Sequence, residues 1–357
     1  MMEPQVDLTI AVHDVSRPIA RAVASVLDHT DASIRVTIAV HEIDPASIAA
    51  QLERHMSDPR MRFIGVTDGL RSPAGPFNAG LDTAAGEFVS VMGSDDTLEP
   101  HAIDSWLRCA RTTGADVVIT RLRHAGGAAV PTPPTRPFRT RRLDGVRDRL
   151  SYRSAPLGLV ARARFPGLRF TVGVPTGEDI AVVTRLWFSG AGIAYDRRGP
   201  AYLIHDDGGP RTTFTPRPLT EEFGWMYALT ADKAFAELPR AARTAAAVKF
   251  LRIHLFGAIF YRDDPALWSA SERASLAAAA QLLVDMGEGI HEVLARRDRD
   301  LLDAALDPRC PAQELIAAAH ARRRFLSAGA LLPRRLSRAA HREAPLRMAA
   351  ASAMQLR

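Results

Sequence analysis

The chain has 357 residues, enough for one large domain and a smaller one. Hydrophobic residues make up 47% and charged residues 24%, a balance typical of globular proteins and not of disordered ones. The formal net charge of +6 is compatible with a polyanionic partner or surface. No uncharged apolar run reaches the roughly 18 residues of a membrane span. The first residues lack a signal-peptide pattern, so we expect a cytoplasmic protein.

The first third of the chain alternates between short apolar runs and amphipathic segments. Strands are predicted at 7–13, 34–41, 61–66, 87–92 and 116–121, and helices follow them near 16–27, 44–56, 76–85 and 100–113. Ser16 is the predicted N-cap of the first helix, and Asp44-Pro45 opens the second. This alternation predicts an α/β sandwich with a mostly parallel sheet.

The remainder of the chain changes character twice. A Pro- and Gly-rich stretch at 125–140 is predicted to be a mobile loop, and the α/β pattern resumes weakly at 157–205. Helices are predicted near 219–237, 240–259, 270–296, 298–306 and 311–326. We therefore expect an α/β domain over 1–216, a helical region over 217–330 and a basic tail over 331–357. The tail is either disordered or associated with an anionic membrane surface.

Polar side chains follow several predicted strands. Asp14, His41, Glu42 and the group Ser94-Asp95-Asp96 all fall at strand ends, and ligands of open α/β sheets bind at the carboxyl ends of strands. Vicinal carboxylates such as Asp95-Asp96 suit Mg²⁺ or Mn²⁺. Ser, Asp and Thr are also common in solvated turns, so the spacing alone leaves a turn open as the alternative.

The stretch GPFNAGLDTAAGEFVSVMGSDDTLEP, residues 75–100, resembles the core of family 2 glycosyltransferases with the GT-A fold. The matching positions are Asn78, Gly80, Gly86, Glu87, Phe88, Ser94, Asp95, Asp96 and Pro100. The opening LTIAVHDVSRPIARAVASVLDHT is similar to the family's first strand and helix, and the resemblance extends over about residues 7–205. It implies an inverting transferase that uses a nucleotide sugar.

The resemblance implies a divalent metal, Mn²⁺ or Mg²⁺, held mainly by Asp95. Asp95 matches the last Asp of the family's Asp-x-Asp triplet, and Asp96 and His205 are the further candidate ligands. Gly93 stands where the family has the first Asp of that triplet, a position that more often contacts the nucleotide ribose.

The same resemblance implies residues that bind the nucleotide. The predicted set is Ala11, Val12, Asp14, Glu42, Arg71, Asn78, Ser94, Asp95 and Arg211. Glu42 lies where the family's second strand usually ends in Asp-Asp-Gly-Ser, and a carboxylate there accepts a hydrogen bond from uracil N3–H. Arg71 lies in a Gly- and Pro-rich loop, where a guanidinium contacts a diphosphate or base edge or simply stays exposed.

The stretch PTGEDIAVVTRLWF, residues 175–188, carries the predicted catalytic base. Thr176 and Asp179 read as a capping box at a helix start. The family places a Glu-Asp pair here at the mouth of the acceptor site, which implies Asp179 as the base and Glu178 as the fallback. Further along, His205, Arg211 and Thr212 are candidates for contact with the diphosphate.

These features predict a metal-dependent glycosyltransferase, of the hexosyltransferase type, that acts on a glycan or lipid-linked acceptor in cell-envelope polysaccharide or glycolipid synthesis. Peripheral contact with the inner face of the membrane would use the basic tail. Two alternatives stay open: a catalytically silent glycosyltransferase-like scaffold, and a nucleotidyltransferase. The sequence His13-Asp14-Val15-Ser16 after the first strand argues against the second, because it is not Gly-rich. No RNA-binding motif or aromatic platform is present, so we expect no nucleic-acid partner.

Overall fold

The computed structural model describes residues 3–207, 216–325 and 327–355. The chain divides into two compact units. Unit 1 comprises Met1–Thr132, Phe138–Asp144 and Arg153–Arg211, and unit 2 comprises Pro133–Pro137, Gly145–Tyr152 and Thr212–Arg357. No single cut near residue 216 separates them, because two short segments from the first half of the chain belong to unit 2.

Unit 1 contains two sheets. The strands are β1 (Val6–Val12), β2 (Ile34–His41), β3 (Met61–Val66), β4 (Phe88–Gly93), β5 (Thr97–Leu98), β6 (Val117–Thr120), β7 (Leu122–His124), β8 (Ala129–Val130), β9 (Gly158–Ala161), β10 (Ile193–Asp196) and β11 (Tyr202–Ile204). The large sheet has seven strands in the order β10-β6-β9-β4-β1-β2-β3, and the small one has the order β5-β11-β7-β8. In the large sheet β9 is antiparallel to both its neighbours, and the other neighbouring strands are parallel. The predicted, mostly parallel sheet is confirmed.

The register of the large sheet brings the ends of four strands to one edge. Ala11 of β1 lies opposite Gly93 of β4, and Val12 lies opposite Val40 of β2. His41, the last residue of β2, lies opposite Val66 of β3. The residues that follow these strands therefore meet at the carboxyl edge of the sheet, where ligands of such sheets bind.

The helices of unit 1 are α1 (Ile19–Leu27), α2 (Pro45–Ala49), α3 (Ala74–Asp82), α4 (Ala102–Thr113) and α5 (Ile180–Phe188). Val6, Leu8, Ile10 and Val12 of β1 are all fully buried. These four side chains point to one face of the sheet, and Asp7 and Thr9, which point to the other face, are also buried, so β1 is covered on both faces.

Two predicted helix starts have different outcomes. Asp44 caps α2 by accepting a hydrogen bond from the Ala46 N–H, as predicted. The prediction of Ser16 as an N-cap is wrong, because its N–H donates to Asp14 Oδ1 at 2.8 Å and α1 begins only after Pro18, without a side-chain cap. The local turn formed by Asp14 takes precedence over helix capping at Ser16.

Gly80 allows α3 to pack closely on β1. A Cβ at residue 80 would lie 2.1 Å from Thr9 Oγ1 and 2.8 Å from Thr9 Cβ, in the buried middle of the sheet. We expect Gly80→Ala to lower the free energy of unfolding by about 1–3 kcal/mol, because the helix must move away from the strand. Urea unfolding measures this change. Gly257→Ala is the matched control, since a Cβ at this helical position meets open space. A Gly80→Ala protein as stable as that control would contradict the prediction.

Unit 2 is helical in the part that the structure describes. Its helices are α6 (Leu219–Glu222), α7 (Gly224–Ala231), α8 (Lys233–Ala236), α9 (Arg240–Lys249), α10 (Phe256–Phe260), α11 (Ala270–Met286), α12 (Ile290–Val293), α13 (Arg296–Leu306), α14 (Ala312–Arg322), α15 (Ala328–Leu331) and α16 (Pro345–Gln355). A π-helical stretch, Phe250–Leu255, joins α9 to α10. Among the described residues, none of these helices is both long enough and apolar enough to cross a membrane.

Two segments differ from the sequence expectation. The stretch predicted as a mobile loop contains β8 and the buried residues Pro133, Pro134 and Thr135. The described part of the predicted tail is folded rather than disordered, since Glu343 and Ala344 are buried and α16 follows them. The Gln355 side-chain amide donates to the carbonyl of Pro133 at 2.5 Å. These contacts place the tail within unit 2, and sequence composition did not indicate them.

An ion-pair network lies in the interior of unit 2. Asp298 is 5% exposed and accepts from Arg252 Nε at 3.0 Å and from Arg322 Nε at 2.6 Å. Arg252 also donates to the Tyr152 hydroxyl and to the carbonyl oxygen of Glu343. One buried carboxylate thus contacts two guanidinium groups, and the buried Glu343 adds negative charge near Arg252.

Candidate functional site

Two arginines that no sequence motif indicated contact Asp95, one at its carboxylate and one at its backbone carbonyl. Asp95 follows β4, and its Oδ2 forms an ion pair with Nη1 of Arg17. The side chains of Arg17 and Asp95 are 15% and 21% exposed. Arg21 donates to the backbone carbonyl of Asp95 at 2.7 Å and pairs with Asp207 at 2.6 Å. The chain itself therefore supplies positive charge at the carboxyl edge of the sheet.

Asp96 is committed to hydrogen bonds within the fold. Its Oδ2 accepts from the Tyr202 hydroxyl at 2.6 Å, and its Oδ1 accepts from the His205 backbone N–H at 3.1 Å. The Tyr202 hydroxyl in turn accepts from the Gly93 N–H at 3.1 Å. Burial raises the pKa of Asp96, and the two hydrogen bonds oppose that rise. Asp96 thus joins the end of β4 to the end of β11.

Gly93 leaves room that the neighbouring carboxylates fill. A Cβ at residue 93 would lie 3.1 Å from Asp95 Oδ1 and 3.2 Å from Asp96 Oδ2. A third carboxylate at this position would repel the other two unless a cation lay between them. Because Gly93 replaces the first Asp of the Asp-x-Asp pattern, only the carboxylates of Asp95 and Asp96 follow β4, and the nearby arginines can offset their negative charge.

Asp95, Asp96 and His205 lie near one another, but among the described residues their ligand atoms do not all lie within 4.8 Å of one another, and their binding of a metal stays a prediction. The His205 imidazole is hydrogen-bonded to Thr97 Oγ1 at 2.8 Å through Nε2, and Asp96 is paired as described. Within the described ranges, the groups of three or more ligand-type side chains with ligand atoms within 4.8 Å are Asp31-His101-Asp104 and His41-Glu42-Asp68. Asp95 still fits a hard cation, because Mg²⁺ is commonly held by one or two carboxylates together with substrate phosphates.

A second acidic cluster lies at the ends of β2 and β3. Glu42 has a left-handed backbone, with φ of 57°, and its Oε1 accepts from the N–H groups of Asp68 and Gly69 at 2.7 Å each. Asp68 Oδ1 is 2.9 Å from Nε2 of the buried His41, and this hydrogen bond lowers the pKa of Asp68. Glu42 and Asp68 therefore lie together at the carboxyl edge of the sheet. The predicted contact of Glu42 with a nucleotide base stays a prediction.

The other predicted nucleotide-binding residues are distributed along this edge. Val12 is buried at the end of β1, Ala11 is half-buried, and Ser94 is buried beside Asp95. Asp14 and Arg71 are exposed. Arg211, like Thr212, lies outside the described residues. Contact of these side chains with a nucleotide stays a prediction.

Asn78 has a structural contact that the motif did not indicate. Its side-chain amide donates to the carbonyl of Phe170 at 3.0 Å and accepts from the Phe170 N–H at 2.9 Å. The rings of Phe77 and Phe170 pack with centroids 5.0 Å apart. Asn78 thus fixes the backbone segment that leads to the predicted base, and a direct contact with the nucleotide stays a prediction.

The predicted catalytic pair precedes α5. The capping box of Thr176 and Asp179 is not formed, because α5 begins at Ile180 and has no side-chain cap at Asp179. The Thr171 N–H donates to the Glu178 carbonyl at 2.9 Å, which closes the loop between them. Burial raises the pKa of Glu178. A carboxyl group with this property is suited to accept a proton near neutral pH.

Comparison with known proteins agrees with this geometry. Residues 8–165 match the sequence model of glycosyl transferase family 2. The succinoglycan biosynthesis protein ExoO of Rhizobium meliloti (strain 1021) is 30% identical over 122 residues, which are 33% of this chain and 33% of that protein. The match thus spans about a third of the length of this curated relative.

Solved structures show the fold. The crystal structure of S. aureus TarS 1-349 in complex with UDP-GlcNAc superposes with a TM-score of 0.72 at 14% identity, over 91% of this chain and 93% of that one. The UDP complex of the same protein superposes with a TM-score of 0.68. The mixed sheet, the helical C-terminal region and these neighbours confirm the predicted GT-A class. Residues 8–165 of the chain thus match the model of glycosyl transferase family 2, and the chain shares the fold of the TarS structures.

Proposed function

We propose that the protein transfers a hexosyl group from a UDP-linked sugar to an acceptor hydroxyl, with inversion at the anomeric carbon. The observation that carries the proposal is the convergence of Arg17 and Arg21 on Asp95 at the carboxyl edge of the sheet. The Nε atoms of both arginines are buried and have no hydrogen-bond partner among the described residues. Guanidinium donors in this state suit the oxygens of a diphosphate.

The base of the nucleotide would bind at the ends of β2 and β3. Oε1 of Glu42 is used by two backbone N–H groups, which orients the carboxylate and leaves Oε2 as an acceptor. Asp68 is oriented in the same way by His41. Acceptors aimed from a fixed backbone suit the single N3–H donor of uracil. The UDP-bound state of the TarS neighbours supports a nucleotide donor of this kind.

Asp95 would hold Mn²⁺ or Mg²⁺, which when bound offsets negative charge on the leaving diphosphate. The protein's own contribution is to orient that carboxylate and to supply two guanidinium groups beside it. Asp96 keeps the end of β4 in place through Tyr202. These fixed charges need no rearrangement of solvent as the bond to the diphosphate breaks.

Asp179 would remove the proton from the acceptor hydroxyl, with Glu178 as the alternative base. Both precede α5 on a loop whose start is tied to α3 by Asn78. The acceptor would be a glycan or a lipid-linked saccharide of cell-envelope polysaccharide or glycolipid synthesis. The partial match to a succinoglycan biosynthesis protein supports a polysaccharide acceptor. Contact with the membrane surface would bring the protein to a lipid-linked acceptor.

Release of UDP from a panel of UDP-sugars, with Mn²⁺ present, tests this function. Asp179→Asn should lower kcat by about 100- to 10,000-fold if Asp179 is the general base. A base works only when ionised, so the rate should fall as the pH drops through the pKa of that residue. Because the pKa of Glu178 is raised, a role for Glu178 would place this acidic limb above its ordinary value of 4.5.

Glu178→Gln distinguishes the two carboxylates. It should remove the acidic limb if Glu178 is the base and leave the limb in place if Asp179 is. Asp31→Asn, a change at a side chain that is 84% exposed, is the control. A catalytically silent scaffold would bind UDP without turning over any donor. If no UDP-sugar is hydrolysed or transferred and UDP does not bind, the proposed function is wrong.

A further inference from the structure

A cavity of about 410 Å³ in unit 2 is lined largely by cationic side chains. Its lining comprises Arg136, Arg147, Ala340, His341, Arg342 and Arg347, and we call it the arginine cavity. All six residues belong to unit 2, and none is among the predicted donor- or acceptor-binding residues. The volume lies within the range of about 300–1,000 Å³ that is usual for small-molecule sites.

The positive charge of the arginine cavity is only partly compensated. Among the described residues that line the cavity, none is acidic. Arg136 forms an ion pair with the buried Asp148, which is not a lining residue, and its Nη2 lies 2.7 Å from Asp148 Oδ2. Arg342 has no side-chain hydrogen bond or ion pair within the described part of the chain. Arg347 donates only to the carbonyl of Ala340, at 3.0 Å. Positive charges that line one cavity repel each other, and a bound anion reduces this electrostatic repulsion.

The lowered pKa of His341 indicates a positive electrostatic potential inside the arginine cavity. Burial lowers its pKa first, and Arg342, Arg338, Arg347 and Arg252 lower it further. The Nδ1 atom accepts from the Glu343 N–H at 3.2 Å. The neutral ring therefore carries its proton on Nε2, which is a hydrogen-bond donor.

The local structure adds a further preference for anions. Arg347 lies in the first turn of α16, and that turn contains no acidic residue. The partial positive charge at a helix N-terminus is thus left without the acid that often accompanies it. Glu343 is not among the lining residues of the arginine cavity, but it lines a neighbouring cavity that shares His341 and Arg342 with it. Burial raises the pKa of Glu343, and the charge of Arg342 is among the effects that oppose this rise.

We propose that the arginine cavity is a binding site for a phosphate or carboxylate group. Planar guanidinium groups bind such groups through paired hydrogen bonds, and His341 Nε2 would supply a further donor. The anion would be part of a phosphorylated or acidic saccharide, or the phosphate of a lipid headgroup. The proposal is independent of the transferase activity, because it concerns other residues.

The first test uses the unaltered protein and inorganic phosphate. The pKa of His341 is followed by NMR of its ring resonances at low ionic strength, with and without phosphate. An anion bound within about 4–6 Å should raise this pKa by about 1 pH unit or more. A His341 pKa that phosphate leaves unchanged, up to concentrations that saturate any calorimetric signal, would overturn the proposal.

The second test removes two of the cationic groups. Arg342→Gln combined with Arg347→Gln should weaken phosphate binding by about 10-fold or more, as measured by calorimetry. Neither arginine has a side-chain ion pair with another described residue, and thermal unfolding checks that the variant is folded. Arg309→Gln in the same unit, at a side chain that is 92% exposed, is the control. Equal loss in the control and the double variant would overturn the proposal.

Vesicles identify the source of the anion. Binding of the full chain to phosphatidylglycerol vesicles but not phosphatidylcholine vesicles, lost in the double variant, would assign the site to a lipid headgroup. Phosphate binding without selective vesicle binding would assign it to a soluble anion. Either result supports the cavity, and failure of both binding tests refutes it while leaving sugar transfer to be judged from UDP release.

Discussion

Asp95→Asn is expected to lower kcat for sugar transfer by about 100- to 1,000-fold. The substitution keeps the size of the side chain but removes the charge that pairs with Arg17 and that would hold a divalent cation. Stabilisation of the departing diphosphate depends on that charge arrangement. The loss should appear in kcat, because the cation matters most as charge develops on the leaving group. Steady-state measurement of UDP release at varied donor and Mn²⁺ concentrations tests this expectation.

The controls for Asp95→Asn separate charge from folding. Asp31→Asn should leave the rate unchanged, since its side chain is exposed and lies away from the carboxyl edge. Arg17→Gln should weaken UDP binding while Asp95 keeps its charge. If Asp95→Asn retains the wild-type kcat with the same Mn²⁺ dependence, Asp95 is not the residue that supports the diphosphate.

Asp298→Asn is expected to lower the free energy of unfolding by about 3–5 kcal/mol. Asp298 compensates Arg252 and Arg322 in the interior of unit 2, and Arg252 is 5% exposed. A neutral amide removes the only carboxylate to which, among the described residues, both guanidinium groups donate, and its own N–H₂ group faces one of them. Urea unfolding followed by circular dichroism measures the loss.

Asp300→Asn is the matched control for this prediction. Asp300 lies on the same helix, α13, is 44% exposed and pairs with Arg334 at 3.1 Å. Exposed ion pairs contribute about 0–1 kcal/mol, so this variant should be nearly as stable as the wild type. Similar losses in the two variants would show that the helix, and not the buried charge, determines the result.

Strands β1 to β4 and β6 could be predicted because each carries its own signal in the sequence. β1, β2 and β4 are short β-branched or apolar runs that end at polar residues, and their positions are confirmed to within a residue or two. Asp44 was predictable as a cap because Pro45 follows it at the position where helices accept proline. Signals of this kind depend only on neighbouring residues.

The arginines at Asp95 could not be predicted in the same way. Arg17 precedes α1 and Arg21 lies in its first turn, but nothing in the sequence pairs them with residue 95. The pairing arises because β1 and β4 are neighbours in the sheet. Ser16 failed as a cap because Asp14 accepts its backbone N–H in a local turn, and Thr176 failed because α5 begins only at Ile180.

The contacts of Asp96 also could not be predicted from the neighbouring residues in the sequence. Its place beside Asp95 in the motif suggested a second metal ligand, yet Tyr202 and the His205 N–H occupy its two oxygens. These partners come from β11, more than a hundred residues along the chain. Asp95 and Asp96 are thus adjacent and chemically alike but have different partners, and those partners lie far away in the sequence.

The division of unit 2 along the sequence has a consequence for the order in which the protein can fold during its synthesis. Pro133–Pro137 and Gly145–Tyr152 leave the ribosome well before the helices of 216–355 that complete their unit. Domains usually fold as units and N-terminal ones first. Here Leu150 and Arg149, both buried in the finished structure, must wait for the C-terminal half of the chain. In a nascent chain that stalls after unit 1, these residues would be exposed to chaperones and proteases. Unit 2 can therefore fold only after the C-terminal half of the chain has been synthesised.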